Sequence, residues 1–573
     1  MRKNKFKHFR LSILLTATFI PIILGGCASS GHFHIPPPIP DDRRDIPEPE
    51  YRDYNLLADG FEQSFTRQGK QAFDFARQLR FLTGNPKQAF NFNAFGEVNN
   101  SSWFTNRNAF KQLSTAEIKR GPNTLSGPDT SGAWLITRAK TEGVTPGFTI
   151  KDPRGDKYVI KFDPPGYPEM ATGAEVISTK LFYACGYNTP ENYITVFDPR
   201  KLKIDDDVEF TDEDGEERLM TDEDLRKVLS KVQHRPDGKL RALASKYIKG
   251  IPKGPFHYLD TRDDDPNDFI PHEHRRELRG LHVICAWLSH FDTKAGNSFD
   301  SYATENGKSY IKHYLMDFGS TLGSAAHSPQ APYIPFVYDV DFDITFANLV
   351  TLGLYVRPWE KLDGVKYPSI GLYESSLFKP HEYRPNTPNP AFENMTDLDG
   401  YWAAKIVMSF TDRQIRAAVT TAQYSNPEAE AYLIKTIIER RNIVGRHWFK
   451  KINPLDKFRL EENADGEFSL AFVDLGIHVA LWSTEGTEYR YEFRRDNKIL
   501  AGPVETGYTN AIPLSAIPEK YLYPADPATG DYIETRIYVK RDGWDKWSKW
   551  VKVWLDSYGS GAGFTIVGVS REE

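Results

Sequence analysis

His290-Phe291-Asp292-Thr293-Lys294-Ala295-Gly296-Asn297 reads H-x-D-x-K-x-x-N, and Asp317-Phe318-Gly319 follows a short way on. The first run supplies a carboxylate, an ammonium group and an amide oxygen, and the second adds another carboxylate. Hard oxygen donors of this kind suit a divalent cation such as Mg²⁺. Between them, Ser298 to Thr304 and Lys308 to Met316 read as two strands, and Asn306-Gly307 is a strong hairpin turn. A hairpin returns the chain to its starting end, so Asn297 and Asp317 are expected side by side at its open end.

Working outward on the N-terminal side, AWLITRAK, VTPGFTIKD and DKYVIKFD from Ala133 onward read as three strands. The helix expected over Ala171 to Ala184 has Gly186 as its stop, and Asn192 to Phe197 reads as a fourth strand. Lys161 ends the apolar strand Tyr158-Val159-Ile160-Lys161-Phe162, and Glu175 lies in the early turns of the helix after it. A lysine that holds phosphate oxygens needs a fixed carboxylate partner, and Glu175 is the expected one, with Glu169 and Glu191 as weaker alternatives. Lys140 to Gly147, with Lys140 and Gly143, occupies the place of a phosphate-cradling loop but lacks G-x-G-x-x-G, so an ordinary hairpin turn is an equal reading. An acidic run over 203–225 reads as a solvated insertion. Lys239 to Ile248 is expected to be the last strand of the sheet.

The helix expected over Glu273 to Ser289 delivers the chain to His290, and further helical patterns lie over 401–409, 412–423 and 427–449. From Asn453 the texture changes to short alternating runs, among them FSLAFVDL, IHVALW and YIETRIYVKRD, which point to a sandwich-like all-β domain. Trp544, Trp547, Trp550 and Trp554 fit either a sugar platform or packing. Glycan, peptidoglycan and protein all stay open as partners of this domain.

The formal net charge of -6 on 573 residues argues against nucleic acid as a partner. At the start, Arg2, Lys3, Lys5, Lys7 and Arg10 precede an apolar run from Leu11 to Leu24, the pattern of a signal segment. Leu24-Gly25-Gly26-Cys27 resembles the lipobox of bacterial lipoproteins. That resemblance implies cleavage before Cys27, acylation of its thiol and attachment to a membrane of the bacterial cell envelope. Ala28 favours the outer membrane by the same resemblance. The Pro-rich stretch that follows is expected to be a flexible tether over 27–53. Residues 54–132 read as an N-terminal extension with a helix around Phe61 to Leu82 and an aromatic cluster, Ser101 to Arg107.

Taken in order, Lys161, Glu175, the His290–Asn297 loop and Asp317-Phe318-Gly319 resemble the protein-kinase-like superfamily. The likeness covers about Ala133 to Phe449 and is nearer the atypical bacterial branch, the HipA-like and CotH-like kinases. Phe291 stands where eukaryotic-type kinases carry an arginine, and no A-P-E is present. The resemblance implies an α+β, two-lobed domain over 133–452 (lobes 133–250 and 251–452), followed by the β domain over 453–573. It implies ATP and Mg²⁺ as cofactors and an unidentified hydroxyl acceptor. Asp292 takes the base role, with Lys294 beside it, Lys161 and Glu175 on the nucleotide, and Asn297 and Asp317 on the metal. It also places Cys185 and Cys285 on neighbouring helices, where a disulfide or two buried thiols are both open. Aminoglycoside-type phosphotransferases share the loop pattern, and kinase-like folds also transfer nucleotidyl groups. The alternative is an inactive kinase-shaped lipoprotein acting as a binding or scaffold protein.

Overall fold

A computed structural model describes residues 32–139, 147–211, 216–352, 354, 356–559 and 563–573 of the chain. The predicted signal segment, Cys27 and the loop residues Lys140 and Gly143 lie outside them. Helices and several sheets share the chain, as expected of an α+β protein.

The strands β1 (Trp134–Ala139), β2 (Gly147–Lys151) and β3 (Lys157–Lys161), helix α1 (Met170–Cys185), and strands β4 (Asn192–Phe197), β5 (Leu202–Ile204) and β6 (Leu240–Lys246) form one unit. The sheet order is β4-β6-β3-β2-β1-β5, antiparallel except for the β1–β5 edge. β6 therefore inserts between β3 and β4 rather than closing an edge. On β3, Tyr158 and Ile160 are buried, and this alternation leaves Lys161 at the end of the strand, opposite Gly147 of β2. The described residues of the 203–225 run are mostly exposed or half-buried, as expected of a solvated insertion, and they are also structured. The run contains the paired strands Glu209–Thr211 and Glu217–Leu219, and Thr221 caps the helix Asp222–Ser230.

Helix α1 is apolar nearly all round and buried along almost its whole length, so its polar side chains require partners. Ser178 shares a 2.7 Å hydrogen bond with Thr321, and Thr179 accepts one of 2.7 Å from Asn192. Gly186 ends the helix at φ 129°, where a side chain would strike the Phe104 ring.

The second unit holds α2 (Arg276–Leu288), the hairpin β7 (Ser298–Glu305) and β8 (Lys308–Leu315), and helices α3 (Asp397–Met408), α4 (Asp412–Val419) and α5 (Pro427–Lys451). Thr396 and Thr411 make capping boxes, and Asn426 caps α5 ahead of Pro427. Trp287, Trp402, Trp448 and Ile437 share one core with α1. Cys185 and Cys285 lie in it as free buried thiols.

The C-terminal strands are β9 (Leu455–Glu462), β10 (Phe468–Asp474), β11 (Thr487–Arg495), β12 (Lys498–Thr506), β13 (Ala511–Pro513), β14 (Ile533–Arg541), β15 (Val551–Ser557) and β16 (Phe564–Arg571). They form two antiparallel sheets, β9-β10-β13 and β12-β11-β14-β15-β16, over a common core. IHVALW is not a strand. Asp474 caps a short helix, Leu475–His478, and its carboxylate is held by Arg541 at 2.7 Å and by the Tyr489 hydroxyl at 2.8 Å. The tryptophans take packing roles, with Lys552 over the rings of both Trp550 and Trp554. Trp554 is buried and stacks on Phe33 at 5.2 Å, whereas Trp544 packs edge-on against Trp482.

Residues 32–53 do not form a free tether. The Phe33 amide donates to the Gly530 carbonyl at 2.9 Å, and Asp42 accepts from both the amide and the hydroxyl of Ser102. The Ile46 amide donates to Ser309 on the hairpin at 2.9 Å, and the Arg52 amide to Lys253 at 3.1 Å. The helix expected around Phe61 to Leu82 is broken, because Asp74 accepts the Arg77 amide at 2.8 Å and starts a new segment, Phe75–Leu82. Trp103 of the aromatic cluster is packing material, buried and stacked on His313.

Lys180 on α1 is buried with its ammonium donating to the Arg120 carbonyl at 3.0 Å and the Asn192 carbonyl at 3.4 Å. Burial lowers its pKa to about 7, with Glu191 opposing. The unfolded chain therefore binds more protons than the folded one between that value and the ordinary lysine pKa. Stability contributed here is lost at low pH and regained as pH rises from about 7 toward 10. Lys180→Met should flatten this rise, by at most roughly 1.4 kcal/mol per pH unit. Paired thermal melts of the two proteins from pH 6.5 to 9.5 measure it, and parallel pH curves would refute it.

Candidate functional site

The open end of the β7–β8 hairpin is where the site forms. Asn306 and Gly307 both take positive φ, 52° and 77°, as a two-residue turn of the primed type requires. The register then runs without a slip from Glu305↔Lys308 back to Ser298↔Leu315. The Met316 amide donates to the Asn297 carbonyl at 3.0 Å, which ties the start of the hairpin to its exit. Asn297 and Asp317 thus flank the same end. The unusual backbone is that of Asp317, at φ 60°, a conformation that aspartate tolerates better than most side chains. A Cβ on Gly319 would meet only ordinary contacts, the nearest 3.5 Å from Glu175.

Lys161 reaches the site from β3 and Glu175 from α1. The lysine Nζ donates to Glu175 Oε1 and Oε2 at 3.0 and 3.1 Å, and to Asp317 Oδ1 at 2.7 Å. Burial works against its charge, but Asp317 and Glu175 hold its pKa above the ordinary lysine value. Glu175 is buried, whereas the Asp317 side chain is 51% exposed. The two weaker alternatives lie elsewhere: Glu169 accepts from Ser425, and Glu191 from Thr124 and Tyr193.

On the loop, Lys294 Nζ lies 3.2 Å from the Asp292 carboxylate. The Asn297 amide nitrogen donates to the Asp292 carbonyl at 2.8 Å, which leaves Oδ1 as the end of that amide suited to a cation. His290 is structural. It is buried, its Nδ1 faces the Ser320 carbonyl at 3.3 Å, and burial lowers its pKa. Phe318 is fully buried, stacked on Phe182 of α1 at 4.6 Å and close to His290 at 5.6 Å. That stack couples the hairpin exit to the helix that carries Glu175.

Asn386 and Asp339 complete the loop's surroundings without any signal in the sequence pattern. Asn386 Nδ2 donates to Asp292 Oδ1 at 3.3 Å, and its backbone amide donates to the Phe291 carbonyl at 2.9 Å. The Asp339 amide donates to the Asn386 carbonyl at 2.7 Å. Burial first, and then the Asp292 charge, pushes the Asp339 carboxyl pKa up, against the pull of Lys294. Both residues sit in the irregular chain after Gly319, where no periodicity marks a position.

The donors present fit Mg²⁺ in kind, an amide oxygen and a carboxylate at one hairpin end. Among the described residues no group of three or more His, Cys, Asp or Glu is arranged to hold a metal by itself. A cation here would draw its remaining ligands from water and from a phosphorylated substrate, as Mg²⁺ commonly does. The cleft of about 960 Å³ elsewhere in the chain, lined by Phe95, Arg107, Phe110, Trp402, Lys405 and Phe458 among others, includes none of these site residues.

No protein-family model matches the chain, and no curated protein matches it. Among solved structures it is similar to the Helicobacter pylori proinflammatory kinase CtkA, at 12% identity and a TM-score of 0.30, over 57% of this chain and 99% of that one. It is also similar to the Golgi casein kinase, at 12% identity and a TM-score of 0.22, over 72% and 95% of the two chains. A form of the Golgi casein kinase with Mn/ADP bound gives 11% identity and a TM-score of 0.25, over 72% and 93%.

Adjacent residues of the D-F-G run should behave oppositely toward stability. Phe318→Ala empties a packed position and is expected to cost about 3–5 kcal/mol. Asp317→Asn keeps a residue that tolerates positive φ and removes a half-exposed charge, so it should stay within about 1 kcal/mol. Urea unfolding midpoints separate the two, and equal losses would contradict this division of roles.

Proposed function

We propose that the chain is a kinase-like phosphotransferase that uses Mg-ATP to phosphorylate a hydroxyl acceptor. In this reading the six-stranded sheet with α1 and the helical unit with the β7–β8 hairpin are the two lobes of a kinase-like domain nearest the atypical bacterial branch, and the C-terminal sheets are a β-sandwich. The observation that carries the proposal is the convergence of two charge clusters from segments far apart in sequence. Lys161, Glu175 and Asp317 form one, and Asp292, Lys294 and Asn297 the other.

Each residue has a role that its surroundings support. Lys161, oriented by Glu175, would bind nucleotide phosphate oxygens, and Asp317 with Asn297 would hold Mg²⁺. When bound, the metal would neutralise charge on the phosphates. Asp292, turned by Asn386, accepts the acceptor's hydroxyl proton, and Lys294 beside it balances charge that develops on the transferred group. Lipid anchoring through acylated Cys27, in the outer membrane of a bacterial envelope, belongs to the same proposal and is supported by the lipobox-like run alone. A kinase-shaped binding or scaffold lipoprotein is the competing outcome.

Purified protein with ATP and Mg²⁺ should melt at higher temperature than with either alone, since a ligand that binds only the folded state stabilises it. Asp317→Asn should lose most of that shift. Failure of every nucleotide and divalent metal to move the melting temperature would favour the scaffold. Asp292→Asn should keep the shift while lowering phosphoryl transfer, read as autophosphorylation or ATP turnover, by about 10²–10⁴-fold. Undiminished turnover would remove Asp292 from the base role.

A further inference from the structure

The loop that carries Asp292, Lys294 and Asn297 is braced from outside by the far end of the N-terminal strap. Residues 32–54 run along the body as extended chain, and their later part touches both the β7–β8 hairpin and the segment 253–267. The Ile46 amide donates to Ser309 on β8, the Ile46 carbonyl accepts from the Tyr302 hydroxyl of β7 at 2.8 Å, and Asp45 accepts the Ser309 amide at 2.7 Å. Glu48 pairs with Lys253 at 2.6 Å, and the Glu50 amide donates to Asp264 at 2.8 Å. At Gly254 a Cβ would fall 2.0 Å from the Arg52 carbonyl, so the strap lies directly on the backbone there.

The strap ends on Tyr54, half-buried against the loop. A Cβ on Gly296 would lie 2.7 Å from Tyr54 Cε1, 3.2 Å from Cζ and 3.4 Å from the hydroxyl oxygen, so the phenol end of the ring packs on the bare α-carbon between Lys294 and Asn297. The same hydroxyl donates to Asp59 at 3.2 Å, which fixes that end of the ring. Burial and Asp59 raise the phenol pKa, the Gly296 amide opposes them, and the Asp292 charge contributes. Tyr54 is thus close enough to the loop to feel its carboxylate. Asn386 holds the Asp292 end of the loop, the Ser298 hydroxyl at the start of β7 donates to the Ala295 carbonyl at 2.7 Å, and Tyr54 covers Gly296 itself.

We infer that Tyr54 is a positioning residue, which fixes Asn297 relative to Asp292 by pressing on Gly296, and that the N-terminal strap is a structural part of the site. The inference deepens the phosphotransferase reading and rests on it for its functional meaning. Glycine at 296 is needed for the ring to approach, and a tyrosine at 54 fills the space that glycine leaves. Because the strap also contacts β7 and β8, it sets the hairpin and the loop against each other.

The test uses the full chain and three variants, Tyr54→Ala, Tyr54→Phe and Gly296→Ala, and needs no nucleotide for its first reading. Hydrogen exchange of peptides over His290 to Asn297 should quicken about tenfold in Tyr54→Ala, while β7 and β8 keep their protection. Tyr54→Phe keeps the ring and should remain near the wild type. Gly296→Ala pushes the ring away and should reproduce Tyr54→Ala, which also serves if Tyr54→Ala does not fold. In the second reading, the Mg²⁺ concentration for half-maximal nucleotide stabilisation should rise in Tyr54→Ala, with metal-free nucleotide binding unchanged. Unchanged loop exchange in both Tyr54→Ala and Gly296→Ala would overturn the inference, as would a Tyr54→Phe as loose as Tyr54→Ala. Looser exchange in a protein that binds no nucleotide would keep the brace and discard the phosphotransferase reading.

Discussion

One ammonium group shared by two carboxylates organises this structure. Lys161 comes from β3, Glu175 from α1 and Asp317 from the hairpin exit, so the contacts of 2.7 to 3.1 Å around its Nζ join three elements that share no local sequence. Losing Lys161 would leave the buried Glu175 carboxylate uncompensated in a poorly solvating place, a cost that the half-exposed Asp317 does not share. The sheet, the helix and the hairpin are therefore constrained to meet at one point. The Phe182–Phe318 stack closes the same junction on its apolar side.

The charge of that junction also bears on its chemistry. Among the described residues two carboxylates meet the Lys161 ammonium, the more exposed of them Asp317, and Asp292 lies 3.2 Å from Lys294. In the proposed reading a divalent cation would bind beside Asp317, and the same residues would serve as an ion network without ligand and as a binding site with one.

What the sequence disclosed follows from periodicity and from residues with strong local preferences. The Asn306-Gly307 turn needs two positive φ values and has them, and strict pairing along β7 and β8 then brings Asn297 to Asp317 with no further information. Gly186 ends α1 for an equally local reason. Where the reading failed, a side chain answered to a distant partner. Asp474 and Asp74 each cap a helix where a strand or an unbroken helix was expected, and Asn386 reaches Asp292 from chain without a repeat. The position of β6 in the sheet depends on long-range pairing that alternation cannot reveal. The strap is the largest such case, because a Pro-rich stretch has the composition of a free linker whether or not its backbone finds donors.

That strap changes what an anchor at Cys27 would do. A free segment from Cys27 to Tyr54 could extend about 90 Å, enough to let the body wander far from a bilayer. With Phe33 fixed on Gly530 and Trp554, only the residues between Cys27 and His32 are left to span the gap, a reach of about 17 Å. Acylation at Cys27 would then hold the Phe33 face of the C-terminal sheets near the membrane surface rather than merely tether the protein to it. Since the same stretch of chain continues to Tyr54, which packs on Gly296, an anchor at Cys27 would be linked through the strap to the loop bearing Asp292. The acceptor would have to reach a site held at a set distance and angle from the bilayer, a geometric restriction that a flexible linker would not impose.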